Sequence, residues 1–229
     1  MRESAVTIAT MSIAARIAAF FKASLRKIVP EKFLKERGVA ARLGPGAGRS
    51  YAQMRLLGAI GLNPVEKRLV PAHARTLVFV CFGNIMRSPM ADALLKLAAA
   101  KANIDLRSDS AGLRATPGKP AHAWAQTAAN ELGISLSDHA AKLLTPEMVE
   151  HADAVLAMDL QNLAELLHLY PDFRNKIFLL SAYAGSPRKR EIPDPYLGDL
   201  ETTRQCYRVL QTCVRNLVAS LASSSSSSG

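Results

Sequence analysis

The sequence is poor in cysteine, with only three in 229 residues: Cys81, Cys206 and Cys213. A set this small and odd in number excludes a disulfide framework and indicates a reducing compartment, so we expect a cytoplasmic location. Long uncharged apolar runs are also missing. None reaches the length of roughly 18 residues that a membrane span needs, because Arg16 interrupts the most apolar stretch, residues 6–21. Candidate ligands with metal-site spacing are absent too, so we expect no metal and no other cofactor.

Acidic residues are scarce in the first third of the chain. Residues 1–75 hold 14 lysines and arginines against 4 acidic residues, and so carry the whole formal net charge of +10. Such an asymmetry indicates a basic arm that binds an anionic partner, either an anionic membrane surface or an acidic protein. Organelle targeting also fits an arginine-rich segment with few acids, and a solvated extension is the plain alternative.

Residues 1–75 are predicted to be an extension and linker that is helical in parts. Apolar residues between Ile13 and Ile28 repeat with a helical period, and basic residues occupy the opposite side. The glycine-rich stretch 44–48 is predicted to be a flexible joint, followed by a second short helix over 54–62.

Residues 76–222 alternate strands with helices. Short apolar or β-branched runs predict strands at 76–80, 106–110, 154–158 and 176–180. Helical patterns are predicted at 88–102, 121–132, 146–151, 160–169 and 200–221. This order predicts an α/β domain with a doubly wound, flavodoxin-like, four-stranded parallel sheet and helices on both faces. Residues 223–229 are a serine-rich tail that we expect to be disordered.

One segment between the first strand and its helix carries the chemistry: Cys81-Phe82-Gly83-Asn84-Ile85-Met86-Arg87-Ser88-Pro89. Amide groups at the start of a helix are unsatisfied, and the helix dipole adds positive potential there. A loop that turns successive amides inward binds a phosphate group. We therefore predict a phosphate-binding loop, formed by Phe82, Gly83, Asn84, Ile85, Met86, Arg87 and Ser88.

Cys81 is placed at the mouth of this predicted loop. The dipole and Arg87 should favour its thiolate, which is a nucleophile without a neighbouring base. The planar guanidinium of Arg87 can bind two phosphoryl oxygens at once, and the Ser88 hydroxyl can donate to the sulfur. Taken singly, a cysteine at a strand end is most often a small buried hydrophobe. The combination predicts a phosphatase that forms a thiophosphate on Cys81.

A leaving alkoxide or phenolate also needs a proton, which a carboxylic acid near the loop would supply. Asp194, in the proline-stiffened stretch Glu191-Ile192-Pro193-Asp194-Pro195-Tyr196, is the candidate. From the residues alone, Asp-Pro-Tyr is also an ordinary turn.

The segment 78–91, with Cys81, five residues, Arg87 and Ser88, closely resembles the signature of the low-molecular-weight protein tyrosine phosphatases. The resemblance covers about residues 76–222. It implies that Cys81 is the nucleophile, that Arg87 binds the phosphoryl group, and that Asp194 is the general acid. It also implies a pocket walled by Phe82 and Tyr196, a phosphotyrosine protein as substrate, and no requirement for nucleic acid.

Weaker matches to the same family lie at Ser110-Ala111-Gly112, at Asp138-His139 and at Met158-Asp159. We expect His139 to be structural and Asp159 to cap a helix.

The chain departs from the family pattern at three places. Met86 stands where many members have a second loop cysteine, so Cys81 would oxidise without a neighbouring thiol to trap it. The stretch 113–116 lacks the aromatic residue usual there, which weakens the implied preference for phosphotyrosine. Ile85 favours that preference, since phosphoarginine-specific members tend to have threonine at this position.

Two other functions fit parts of the pattern. An arsenate reductase on the same scaffold would need a thiol relay, and Cys206 and Cys213 share a predicted helical face; however, relay cysteines of such enzymes precede the acid loop. A phosphoprotein-binding module would need a lost nucleophile or acid, and both are present.

Overall fold

The computed structural model describes residues 31–62, 68–185 and 191–223. The predicted helix between Ile13 and Ile28 and residues 224–229 of the predicted tail lie outside these ranges. The division into an extension, a catalytic domain and a tail therefore stays a prediction.

Four strands form one parallel sheet in the order β2-β1-β3-β4. They are β1 (Thr76–Cys81), β2 (Arg107–Gly112), β3 (Ala154–Ala157) and β4 (Ile177–Leu179). All four lie within two residues of the predicted bounds, and the predicted doubly wound α/β fold is confirmed.

Helices cover both faces of the sheet, because alternate residues of each strand point to opposite sides. Leu77 and Phe79 of β1 pack with α3 (Arg87–Ala102), α4 (Ala123–Asn130) and α7 (Leu200–Ser223). Val78 and Val80 face the other layer, formed by α5 (Pro146–His151) and α6 (Leu160–Leu169). No helix within the described residues is both long enough and apolar enough to cross a membrane.

The extension contributes two helices to the second layer, α1 (Glu31–Arg42) and α2 (Gly44–Ala59). Tyr51 and Met54 of α2 are buried in the same cluster as Val78 and Val80, so α2 is part of the domain core. The predicted second helix at 54–62 thus belongs to a longer helix that starts earlier.

The predicted flexible joint at 44–48 is wrong, because these residues form the first turns of α2. Pro45 is compatible with the first turn of a helix, where its missing N–H has no partner to lose. The glycines serve close packing instead: a Cβ at Gly46 would collide with the His168 ring, and one at Gly48 with the Ala40 carbonyl. The glycines therefore allow α2 to approach α6 and α1.

The strand order reverses between β1 and β3, which are neighbours although they are not consecutive in sequence. Loops leaving the carboxyl ends of such strands diverge to opposite faces and open a crevice, the usual ligand site of these folds. Cys81 ends β1, and Met158 and Asp159 follow β3 directly, so the topology itself brings these residues together.

Candidate active site

The loop from Cys81 to the start of α3 at Arg87 is wound tightly against the end of β2. Asn84 has a φ of 52°, in the left-handed region that asparagine tolerates better than most residues. Gly112 lies directly behind the loop, where a Cβ would come within 2.8 Å of the Phe82 oxygen and 2.9 Å of the Asn84 nitrogen. The glycine at the end of β2 is therefore needed for this close approach.

The Cys81 sulfur has two hydrogen-bond partners inside this loop. The Asn84 amide donates to Sγ at 3.2 Å, and the Ser88 hydroxyl lies 3.0 Å from it. The side chain of Cys81 is nearly buried but lines the cavity described below. Polar groups of the loop and of the first turn of α3 therefore surround the sulfur.

Asn84 holds the loop in shape from the inside. Its Nδ2 donates to Ser88 Oγ at 2.9 Å and to Ser110 Oγ at 3.0 Å, and its Oδ1 accepts from the Lys142 amide at 2.8 Å. His139 Nε2 donates to the Asn84 carbonyl at 2.6 Å, consistent with the structural role expected for His139. Because every polar group of Asn84 is used, the left-handed conformation is fixed by its surroundings.

Arg87 is 2% exposed and lies between two carboxylates. Its Nη1 pairs with Asp159 Oδ2 at 2.6 Å and donates to the Ile192 carbonyl at 3.2 Å, while Nη2 pairs with Asp194 Oδ2 at 2.7 Å. Burial lowers the pKa of Arg87, but the charges of Asp159, Asp194 and Cys81 more than offset it, so the pKa is raised overall. The guanidinium therefore stays charged next to the Cys81 sulfur.

Asp159 makes two contacts with its two oxygens. Oδ1 accepts from the Asn162 amide at 2.7 Å, which confirms the predicted N-cap, here of α6. Oδ2 holds Arg87, a contact that the sequence analysis missed. The predicted topology could have indicated this contact, because Asp159 follows β3 at the strand-order reversal and so lies next to the loop that follows β1.

The predicted site residues meet in one cavity of about 200 Å³. It is lined by Cys81, Phe82, Gly83, Ile85, Met86, Arg87, Arg114, Thr116, Lys119, Asp194 and Tyr196. Asn84 and Ser88 lie behind this lining, fully buried. Arg114, Thr116 and Lys119 were not predicted as site residues; Arg114 and Thr116 belong to the stretch 113–116, which has no aromatic residue.

Two aromatic side chains stand at the cavity mouth. Phe82 is 55% exposed and Tyr196 is 49% exposed, although both carry large aromatic rings. The ring of His122 meets the ring of Tyr196 edge-on, with centroids 6.0 Å apart, and so supports one wall. An exposed aromatic pair beside a phosphate-sized cavity can hold a flat ring between its walls.

The other two cysteines lie in the core. Cys206 and Cys213 are both fully buried on α7. Burial raises the pKa of Cys206 to about 12, so this thiol stays protonated near neutral pH. It is therefore a poor member of a thiol relay. Within the described residues, no group of three or more side chains is placed to hold a metal ion.

Comparisons with known proteins agree on one family. The sequence model described as low molecular weight phosphotyrosine protein phosphatase matches residues 76–227. The probable low molecular weight protein-tyrosine-phosphatase AmsI of Erwinia amylovora is 34% identical over 147 residues, which are 64% of this chain and 97% of AmsI. A protein-arginine-phosphatase of Bacillus subtilis is 34% identical over 145 residues, 63% of this chain and 95% of that protein.

Solved structures show the same likeness. The crystal structure of AmsI superposes with a TM-score of 0.59 at 33% identity and covers 64% of this chain and 92% of its own. The YwlE arginine phosphatase of Geobacillus stearothermophilus gives a TM-score of 0.61 at 29% identity, covering 68% and 97%. The match to the family model begins at residue 76 and leaves α1 and α2 outside it.

Proposed function

We propose that this chain, which belongs to the low molecular weight phosphotyrosine protein phosphatase family, dephosphorylates protein phosphotyrosine. The reaction is the hydrolysis of a phosphoric monoester, and its intermediate is a phosphocysteine on Cys81. One observation supports this above all. Cys81, Arg87 and Asp194 converge on a single cavity, with the sulfur accepting from the Asn84 amide and in contact with the Ser88 hydroxyl, and with Arg87 held between two carboxylates.

In the first step the loop amides of 82–88 and Arg87 bind the phosphoryl oxygens. The Cys81 sulfur attacks phosphorus in line, the bond to the ester oxygen breaks, and Asp194 gives its proton to that oxygen. Ser88 donates to the sulfur. In the second step Asp194 takes a proton from water, the water oxygen attacks phosphorus, and the thiolate leaves with inorganic phosphate released.

A covalent intermediate gains support from one structural relative. A mutant of the YwlE arginine phosphatase, 33% identical over 64% of this chain with a TM-score of 0.60, is described as carrying a phosphorylated active site serine. In this chain Cys81 would be the residue that is phosphorylated, since it is the nucleophile nearest the loop amides.

The preference for phosphotyrosine over phosphoarginine is carried by three side chains. Phe82 and Tyr196 form exposed aromatic walls that suit a phenyl ring. Ile85 lines the cavity with an apolar surface, where threonine would offer a hydroxyl to a polar guanidinium. We expect Ile85→Thr to lower the ratio of phosphotyrosine to phosphoarginine hydrolysis, measured on matched phosphopeptides.

Hydrolysis of an aryl phosphate tests the catalytic assignment. Cys81→Ser should abolish turnover, and Asp194→Asn should lower kcat/KM by about 10²- to 10⁴-fold, the usual contribution of general acid catalysis. Acid quenching during turnover, followed by mass spectrometry, should locate phosphate on Cys81. Full activity of Cys81→Ser would refute the proposal, and turnover of arsenate that depends on Cys206 or Cys213 would favour the reductase instead.

We propose a cytoplasmic location, with the basic extension binding an anionic membrane surface from outside the bilayer. The described part of the extension supports this with exposed basic residues, Arg37 and Arg42, and exposed apolar ones, Leu56 and Ile60. Because α2 is part of the core, the test removes residues 1–30 and, in the same variant, replaces the exposed Arg37 and Arg42 by glutamine. Flotation with anionic vesicles should decrease on removal; equal flotation would refute the membrane role, and retention by an acidic protein alone would assign a protein partner.

A further inference from the structure

The extension helix α2 reaches the loop that carries Asp194. Arg55 Nη1 lies 2.6 Å from Glu191 Oε2, and Glu191 is three residues before Asp194. Arg55 lies outside the residues that match the family, which begin at residue 76. AmsI, 97% of which is matched by 147 residues of this chain, has no room for a comparable extension.

Arg55 is held in place by its own helix and by α1. Its Nε donates to the Tyr51 hydroxyl at 2.9 Å and lies 3.0 Å from Glu36 Oε2. Tyr51, 1% exposed, in turn donates to Glu36 Oε2 at 2.5 Å. These three contacts, to Tyr51, Glu36 and Glu191, fix the position of the Arg55 guanidinium.

Glu191 connects Arg55 to the backbone next to Asp159. Its Oε1 accepts from the Leu160 amide at 2.9 Å, at the start of α6 and next to Asp159. The following residue, Ile192, donates its amide to the Met158 carbonyl at 2.9 Å and accepts from Arg87 through its own carbonyl. The start of the acid loop is therefore tied to α2 by a side chain and to the end of β3 by its backbone.

Burial is consistent with a positioning role for the Arg55–Glu191 pair. Desolvation raises the pKa of Glu191, and the Leu160 amide and the Arg55 charge offset only part of this effect. Arg55 and Glu191 are only partly exposed, and ion pairs shielded from water add little net stability, because desolvation cancels much of the attraction. What such a pair does supply is a fixed geometry for the groups beside it.

We infer that the N-terminal extension positions the acid loop, with Arg55 acting through Glu191 to hold Asp194 over the leaving oxygen. This inference rests on the proposed function, because it takes Asp194 as the general acid. Arg55 and Glu191 are positioning residues and touch no reacting atom. The extension is then a part of the active-site scaffold that the matched relatives do without.

Leaving-group dependence tests this inference on the full chain. Phenyl phosphate needs protonation of its leaving oxygen. The 2,4-dinitrophenolate ion is a stable leaving group, so hydrolysis of 2,4-dinitrophenyl phosphate needs almost no help from a general acid. Arg55→Met and Glu191→Gln should each lower kcat/KM for phenyl phosphate by about 5- to 20-fold, part of the range that general acid catalysis spans. The value for dinitrophenyl phosphate should change less than about twofold, since the nucleophile and loop are untouched.

Matched variants separate positioning from folding. Arg49→Met removes the same charge from the same helix at an exposed position, for which the described part of the chain shows no ion pair. This variant should keep the wild-type kcat/KM for both substrates. Arg55→Lys should restore part of the phenyl phosphate rate. The Arg55→Met/Glu191→Gln double variant should be no slower than the slower single variant, because both remove one contact.

The outcomes are distinct. An equal loss on both substrates, or no loss on either, would overturn the inference, as would an Arg49→Met variant that behaves like Arg55→Met. Rates are expressed per mole of folded enzyme, measured by far-UV circular dichroism, so partial unfolding is not counted as an equal loss on both substrates. If wild type and Asp194→Asn showed the same leaving-group dependence, the assignment of Asp194 itself would fail, which is a failure of the proposed function.

Discussion

Asp159 holds Arg87 with one oxygen and caps α6 with the other, and substitution can separate the two contacts. Asp159→Ser keeps a capping hydroxyl but cannot reach Arg87, whereas Asp159→Ala loses both. A hydrogen bond to a charged group is worth about 1.5–3 kcal/mol. Arg87 retains Asp194 and the Ile192 carbonyl, so we expect the serine variant to lose about 2 kcal/mol, at the lower end of that range.

The alanine variant should lose a further 1 kcal/mol or so from the missing cap. Urea unfolding measures both losses as shifts of the midpoint at constant slope. In kinetics the two variants should resemble each other, because only the contact with Arg87 affects phosphate binding; we expect kcat/KM for an aryl phosphate to fall about tenfold or more in both, the effect of a misplaced binding group. A serine variant as stable as wild type, or an alanine variant far slower than serine, would refute this reasoning.

Three further predictions concern the core, the extension and pH. Cys206→Ala should keep aryl phosphate hydrolysis within about twofold, since a buried thiol with a pKa near 12 takes no part in the reaction; a large loss would revive the relay. Gly48→Ala should lower the free energy of unfolding by about 1–3 kcal/mol through overpacking, whereas Gly38→Ala, with nothing within 4 Å, should raise it by about 0.5–1 kcal/mol; thermal unfolding of both variants checks the contrast. Because the pKa of Glu191 is raised in the folded state, its contribution to stability is fully present below its ordinary pKa and is lost as pH rises through the raised value. Urea unfolding across this range should show that decline in wild type and not in Glu191→Gln.

The fold and the centre of the site were predictable from local sequence. Strand periodicity and the Cys81 to Ser88 spacing sufficed for both, because a parallel sheet places the ends of its strands, and the loops after them, at one edge. The role of Asp159 was within reach for the same reason. The contacts of Asn84 were not, since they depend on Lys142, His139 and Ser110, which no sequence period connects to the loop.

The flexible joint predicted at 44–48 was the main failure of sequence reasoning, and its cause is specific. Glycine and proline at 44–48 predict a joint by their backbone preferences, yet Gly46 and Gly48 were needed for close helix contacts. The lack of a Cβ atom at Gly46 and Gly48 matters only because His168 and Ala40 pack against these positions. His168 is far away in sequence and Ala40 lies on another helix, so the local sequence does not indicate either contact. For the same reason the Arg55–Glu191 pair could not be predicted, since it joins residues far apart in sequence.

The two carboxylates on Arg87 differ in a way that bears on how substrate engages the acid. Nη1 is held by Asp159 and the Ile192 carbonyl, both on backbone that is hydrogen-bonded to its neighbours. Among the residues that the structure describes, Nη2 is held by Asp194 alone, whose side chain is 46% exposed. An entering phosphomonoester dianion therefore competes with Asp194 for Nη2 and leaves the other contacts intact. We expect the displaced carboxyl group to stay near the leaving oxygen, because the Glu191 and Ile192 contacts fix the loop that bears it. Binding of the phosphoryl group to Arg87 Nη2 would then release Asp194 from the same nitrogen. Because Arg55 of α2 holds the loop of Asp194 through Glu191, the position of α2 affects the proton transfer in the first chemical step.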